Sequence, residues 1–398
     1  MSITGIISGA WNKIGPLIAH NVGEVIAATI FALFLLFAKQ LFNYVKEKIN
    51  YFNRMKSAHA AVAQVEKNGG MVEGEGLWKA APIIPRPDNY ADRVQLAKIL
   101  SIANLKGGVG KTTISANLAS CLSIMLNEGV AEQKPVLLID LDFQGTLAGF
   151  ANPHDDIWPP NNTDSHATKL IRGDLSKHEV VTTNFTVTGR NNLKILPAYY
   201  DLANTENRLM IEWLLSDRDN DVRFNLANIL LNEDVRNKFS LIILDCPPRL
   251  TTAKIQALAT SSHLLIPTIL NKASTEAVNS FVRQVESLRG AGICPHIQHI
   301  GVVGSMVSPT TKIENLGHDP SILQLGDLLR STWDEGGPGR KVDILPGETF
   351  IPRFKALAAS FGEGIIYPFG NDNSTAERIN QATEALAQEV INRMGLRH

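Results

Sequence analysis

The sequence predicts an α/β fold: a doubly wound, mostly parallel sheet flanked by helices and preceded by an N-terminal apolar helix. Three observations predict it. From about Leu96 onward, short β-branched runs alternate with helical patterns, which is the signature of βα units on a parallel sheet. One of those runs leads into a glycine-rich turn and out into a helix, and two others end in carboxylates. Ahead of them lies Val25–Ala38, an uncharged apolar run of 14 residues.

Composition divides the chain into three parts. Residues 1–67 read as helical, first apolar and then basic. Residues 68–95 carry Gly69, Gly70, Gly74, Gly76, Pro82, Pro85 and Pro87, which is linker chemistry. Residues 96–398 hold the βα pattern. With 398 residues, of which 44% are apolar and 19% charged, the chain can bury a large core and exceeds one average domain. The formal net charge of −1 exerts no global pull on nucleic acid, so any such binding needs a local basic patch. Cys121, Cys246 and Cys294 lack CxxC or Cys/His spacing, so each is read as a small core residue in a reducing compartment.

The N-terminal run has three readings. Extended to residues 22–42 it reaches roughly 31 Å as a helix, enough to cross a bilayer. Glu24, Lys39 and Gln40 fall near its ends, where long side chains reach the interface. Trp11, Tyr44 and Tyr51 stand where interfacial aromatics would, and the cations Lys46, Lys48, Arg54 and Lys56 come after the run, placing its C-terminal side in the cytosol. The second reading is an oligomer core, supported by Phe42, Val45, Ile49 and Phe52 at coiled-coil spacing. The third is an amphipathic helix on a membrane surface. A signal peptide fits less well, because the basic start is thin and no clean A-x-A site follows the run.

The chemistry concentrates at Ile99–Asn104, an apolar strand, then Leu105-Lys106-Gly107-Gly108-Val109-Gly110-Lys111-Thr112-Thr113, then the helical pattern Ile114–Leu126. Glycines let the backbone wrap a polyphosphate with its N–H groups pointing inward, and the adjoining helix N-terminus adds partial positive charge. Lys111 is placed to reach phosphates, and the Thr112 hydroxyl to bind Mg²⁺. Val136–Asp140 is a second buried strand, continuing through Leu141-Asp142-Phe143-Gln144-Gly145. Leu241–Asp245, leading into Cys246-Pro247-Pro248, is a third. A carboxylate at the C-terminal edge of a parallel strand beside such a loop suits a Mg²⁺ hydration shell.

Lys106-Gly107-Gly108-Val109-Gly110-Lys111-Thr112 resembles the deviant Walker A motif of the ParA/MinD family of P-loop ATPases, whose mark is the lysine at its start. The resemblance implies ATP and Mg²⁺ as cofactors and an ATP-sandwich homodimer in which Lys106 reaches the partner's phosphates. It implies a nucleotide cradle of Gly107, Gly108, Val109, Gly110, Lys111, Thr112 and Thr113. Asp142 takes the family's water-positioning role, with Asp140 nearer the Mg²⁺ shell and Asp245 as the Walker B acid. Phe143 stands where the family has proline. Leu193–Glu206, His263–Pro267 and Gly301–Met306 match further family segments, although Gly304-Ser305 replaces the family's asparagine. Phe350-Ile351-Pro352-Arg353 resembles the element near the base, which assigns Pro352 to it, and Thr375–Met394 matches the closing helix. Much of 151–190 and 313–345 reads as insertion. Arg249 serves either the interface or the nucleotide.

These readings lead to an expected function: an ATP hydrolase that turns over slowly without a partner, tethered at the inner membrane and facing the cytosol, whose ATP dimer positions or regulates a partner complex. The alternative is a cytoplasmic DNA-partition ATPase, with residues 1–67 as an oligomerisation helix and Arg330, Arg340, Lys341, Arg353 and Lys355 as a basic patch. A membrane tyrosine kinase would end in a tyrosine cluster, whereas Tyr367 is the one tyrosine after Tyr200. An idle ATP-binding scaffold would not need Asp142 and both lysines. The chain has no G-x-S-x-G elbow, and its ten histidines show no H-x-x-x-H or H-x-x-E-H pairing, which sets aside serine hydrolases and zinc enzymes.

Overall fold

The computed structural model describes residues 3–67, 76–79, 81–83, 86–150, 164–183, 185–187, 190–215, 220–308, 320–333, 342–353, 367–369 and 374–396. The chain divides into two compact units, Met1–Ala60 and Ala61–His398. The first is formed by helix α1 (Ile3–Lys67), which continues past the division. Its segment Thr29–Asn53 is 25 residues of mean hydropathy 1.2, long and apolar enough to cross a membrane by length and composition, and none of it is buried. Phe34 is 63% and Phe52 70% exposed.

The second unit is built on an eight-stranded sheet in the order β3-β4-β2-β5-β1-β6-β7-β8. The strands are β1 (Ile99–Ile102), β2 (Val136–Asp140), β3 (Thr186–Val187), β4 (Arg190–Leu196), β5 (Leu241–Asp245), β6 (His263–Ile269), β7 (Gln298–Val307) and β8 (Ile351–Pro352). Every neighbouring pair is parallel except β3 with β4. The predicted fold is therefore the observed one. Continuous apolar runs form the central strands because both faces are covered, and the two-residue period sorts each run between them. Leu137, Ile139, Ile242 and Leu244 join one core, while Val136, Leu138, Leu241 and Ile243 join the other. Helix α4 (Lys111–Met125) and the closing helix (Ser374–Met394) cover the second face; the closing helix begins one residue earlier than its sequence pattern indicates. Cys121, Cys246 and Cys294 are all buried.

Within the stretch of linker composition, two short helices, α2 (Gly76–Lys79) and α3 (Tyr90–Leu96), are packed into the second unit. Trp78 is 2% exposed and stacks on Trp213, with ring centroids 5.7 Å apart. Buried Arg223 donates to the Trp78, Ala81 and Pro82 carbonyls at 2.8, 3.1 and 3.0 Å and pairs with buried Asp221. Farther along, the Tyr90 hydroxyl donates to the Ala259 carbonyl. Large aromatics amid Gly and Pro find pockets here, and one guanidinium satisfies the carbonyls that a non-repetitive segment leaves over.

Of the two regions read as insertion, 151–190 supplies, within its described residues, helices α5 (His166–Arg172) and α6 (Lys177–Val181) and strand β3. The region 313–345 supplies a helix at Pro320–Trp333. Residues 151–163 and the rest of 313–341 lie outside the described residues.

Candidate active site

Strand β1 lies between β5 and β6, while the chain leaves it for β2 beyond β5. A crevice at the C-terminal edge of such a sheet is where ligands of doubly wound folds sit. The glycine loop leaves β1 there. Gly108 and Gly110 have φ of 69° and 78°, the left-handed region that glycine tolerates at no steric cost. A Cβ built on Gly107 or Gly108 would meet nothing within 4 Å, so this backbone faces open space in which a polyphosphate fits. Helix α4 begins at Lys111, which puts its free N–H groups and positive dipole end at the loop.

The sequence-assigned residues converge on this edge. Lys111 is 7% exposed and donates from Nζ to the Lys106 carbonyl at 3.0 Å. Burial lowers its pKa, and Asp245 and Asp142 pull it back up. Lys106 is half-buried and donates from Nζ to Ser274 Oγ at 2.8 Å. Asp140 and Asp245 are register partners on β2 and β5, each 1% exposed. Burial raises the pKa of both; their mutual charge adds to the rise on Asp140. Asp140 is held by the Asp142 and Leu147 backbone N–H groups at 3.0 and 3.1 Å. Asp245 Oδ1 accepts from Ser115 Oγ at 2.9 Å, while its buried Oδ2 has no hydrogen-bond partner among the described residues. The neighbouring Thr112 hydroxyl lowers the Asp245 pKa.

Two buried carboxylates side by side, one oxygen left over and a hydroxyl beside it form a donor set that a hard divalent cation suits. Among the described residues no group of three or more His, Cys, Asp or Glu forms a ready metal cage. A Mg²⁺ ion here would rest on Thr112, phosphate oxygens and water, as this cation does when it comes with a nucleotide.

Asp142 sits in a turn closed by Gly145 N–H to the Asp142 carbonyl at 2.9 Å, and its Oδ1 accepts from Gln144 N–H at 3.1 Å. The turn forms without the proline, and Phe143 projects from it, 38% exposed. On the other flank, Ser305 Oγ donates to the Val109 and Thr268 carbonyls at 2.7 and 3.2 Å, so its hydroxyl serves the loop and β6. Gly304 lies under Phe350, where a Cβ would come within 2.6 Å of the ring. Pro352 pairs in register with Val307 next to this flank. Thr113 lies in the first turn of α4, half-buried.

Sequence reasoning missed Ser115, Ser274 and Lys254, and read Ser305 only as standing where the family has asparagine, not as a support of the loop. Ser115 was findable as the residue one helical turn after Lys111; Ser274 carried no local signal. Of the residues read as a basic patch, Arg353 is exposed, Arg330 is described in its backbone only, and Arg340, Lys341 and Lys355 lie outside the described residues.

A family model for an AAA domain matches residues 97–298, just over half of the 398. The chain is 31% identical over 191 residues to the sporulation initiation inhibitor protein Soj of Bacillus subtilis, covering 48% of this chain and 65% of that one. It is 27% identical over 219 residues to the chromosome partitioning protein ParA of Myxococcus xanthus, covering 55% and 68%. Among solved structures, McdA from Cyanothece in complex with ATP superposes with a TM-score of 0.55 at 20% identity, covering 76% of this chain and 98% of that one. A putative plasmid partition protein from Borrelia burgdorferi bound to AMPPNP gives 0.50 at 20%, covering 75% and 99%. At such identities the structures speak for the fold. Because the family model matches just over half of its length, the chain belongs to the AAA domain family, as a P-loop ATPase of the ParA/MinD type.

Proposed function

We propose that this protein is a Mg·ATP-dependent switch that hydrolyses ATP, closes into a homodimer while ATP is bound, and presents the dimer surface to a partner protein complex at a membrane. The observation that carries the enzymatic part is the meeting of Lys111 from the glycine loop with Asp245 and Asp142 at one sheet edge, where Asp140 is the register partner of Asp245. The glycine-loop amides and Lys111 would hold the triphosphate, Thr112 and the Asp140–Asp245 pair the cation and its water shell, and Pro352 would lie toward the base. Bound Mg²⁺ would neutralise charge on the phosphates. Asp142, tethered by its own turn, would orient the attacking water. Lys106 would leave Ser274 and supply a cation to the partner's nucleotide, making closure depend on ATP.

The membrane part rests on the length, hydropathy and exposure of Thr29–Asn53 and on the cations that come after residues 22–42. Through it the ATPase unit would face the cytosol from the inner membrane, unable to cycle off as a reversible amphipathic helix does. The name of the Myxococcus xanthus relative, a chromosome partitioning protein, favours a second reading: partition in the cytoplasm, for which this chain would bind DNA non-specifically and use α1 as an oligomerisation helix.

Phosphate release and light scattering test the first reading. Wild type is expected to release phosphate and dimerise with ATP. Lys111→Ala should lose nucleotide binding, Asp142→Ala should dimerise without turnover, and Lys106→Ala should bind ATP without dimerising. A wild type that binds no ATP sinks the proposal. Flotation with liposomes, against DNA binding that falls steeply with salt, separates the two readings.

A further inference from the structure

The helix Thr252–Thr260 comes just after the Pro247-Pro248 turn and carries a lysine in its first turns that no site residue accounts for. Lys254 is fully buried, at 0% exposure, among the largest fully buried side chains of the described residues. Buried lysines are rare unless paired with an acid. This one is held by carbonyls and a ring: Nζ donates to the Asn104 carbonyl at 3.0 Å, lies 3.5 Å from the Pro248 carbonyl, and sits 4.6 Å from the centroid of Phe281.

The identity of those partners matters more than their number. Asn104 is the last residue before the phosphate loop. Its side chain is also engaged, donating from Nδ2 to the Pro267 carbonyl at 2.7 Å and accepting the Lys106 N–H at Oδ1 at 3.2 Å. Pro248 belongs to the turn just beyond Asp245. One ammonium thus bridges the start of the loop and the turn beyond the Walker B acid, from behind. Phe281 belongs to the helix Lys272–Gly290, whose Ser274 holds Lys106, so both loop-side lysines lean on the same helix.

We propose that Lys254 is a positioning residue for nucleotide: its amine ties the Asn104 carbonyl to the Pro248 carbonyl and so fixes where the phosphate loop leaves β1 relative to the Pro247-Pro248 turn. This rests on the ATP-binding reading above. Packing alone gives no reason for a lysine here, since an apolar side chain of similar length would fill the same space without removing an ammonium from water. Burial pushes the amine down to about 7; Cys246 and Asp142 raise it and Lys111 lowers it further, so the triphosphate site and this amine share one field.

The test separates positioning from folding, because the two predict opposite signs. Lys254→Met, near in length and uncharged, is measured by titration with a fluorescent ATP analogue and by thermal melting without nucleotide. The expected result is a dissociation constant weakened about tenfold, as for the loss of one hydrogen bond from a charged donor, with a melting temperature equal to or above wild type. Lys254→Gln, which keeps a donor and lacks the charge, is expected to recover part of the affinity. Lys254→Met that binds the analogue as wild type does would overturn the proposal. Loss of folding in both variants would overturn it as well, since Lys254 would then be a requirement of the fold. If wild type itself binds no ATP analogue, the functional reading fails first, and that outcome is read on wild type alone.

Discussion

Helix α1 and the central strands are both made of aliphatic and aromatic residues, yet those residues meet opposite fates. Ile99 and Leu138 are at most 1% exposed, whereas Phe34 and Phe37 are 63% and 64% exposed. A strand of the sheet finds its apolar partners within the same chain, because a parallel sheet is covered on both faces by the helices that connect it. The apolar stretch of α1 finds none within its own unit, and exposed apolar surface of that extent marks an interaction site. Between these extremes, the Gly/Pro-rich stretch reads as linker but sinks Trp78 and Tyr90 into the core. Apolar content alone therefore does not say whether a segment is core; the availability of a partner does.

The comparison can be broken most decisively at α1. Phe34→Lys with Leu35→Lys, each costing about 3 kcal/mol at a bilayer centre, should move the protein from the floating to the soluble fraction in liposome flotation while ATP binding stays unchanged. If wild type is soluble without detergent and does not float, the partner of α1 is another copy of the chain.

A smaller effect, confined to the second unit, tests the docked segment. Arg223→Ala strands a buried carboxylate and three carbonyls and should cost about 3–5 kcal/mol in urea unfolding of that unit. Trp78→Ala removes the stack on Trp213 and should cost about 3 kcal/mol by the same measurement. Neither should alter flotation. If both changes are neutral, residues 76–96 are a linker after all.

The smallest effect is a pH dependence. Glu206 on helix α7 (Asp201–Leu215) is 5% exposed, accepts from the Ala253 N–H at 2.9 Å, and is pushed up to about 7 chiefly by burial. Its folded pKa lies above the unfolded value, so the unfolded chain gives up the proton first. The contribution it makes to stability is present below about pH 4.5 and is lost as pH rises to about 7. Glu206→Gln should flatten that loss and leave the variant more stable at pH 8 by an amount on the order of 2 kcal/mol. An unchanged pH profile of unfolding would show that Glu206 has no such role.

Much of the site was legible because its chemistry is local. The glycine loop, its lysines and Thr112 lie within eight consecutive residues, and Asp140 and Asp245 each end an apolar run whose direction is fixed by the parallel sheet. The contacts that support these residues were not legible, because each crosses a long stretch of chain. Ser274 reaches Lys106 across 168 residues, Ser305 reaches Val109 across 196, and Arg223 reaches Trp78 across 145. Lys254 did leave a trace, a lone cation in the otherwise uncharged stretch TTAKIQALAT, but a sequence does not say which side of a helix faces a loop.

By itself, the sequence determined the fold class, the strand-loop-helix that cradles phosphate and the three carboxylates, since two-residue and helical periodicity and left-handed glycines act over short distances. Only the tertiary structure decided that the Asp140 and Asp245 carboxylates lie side by side, that Lys106 rests on Ser274, and that a buried ammonium stands behind the loop. Those facts depend on which strands are neighbours and how helices dock on them. Neighbourhood in a doubly wound sheet is set by the packing of the whole domain, not by adjacency along the chain.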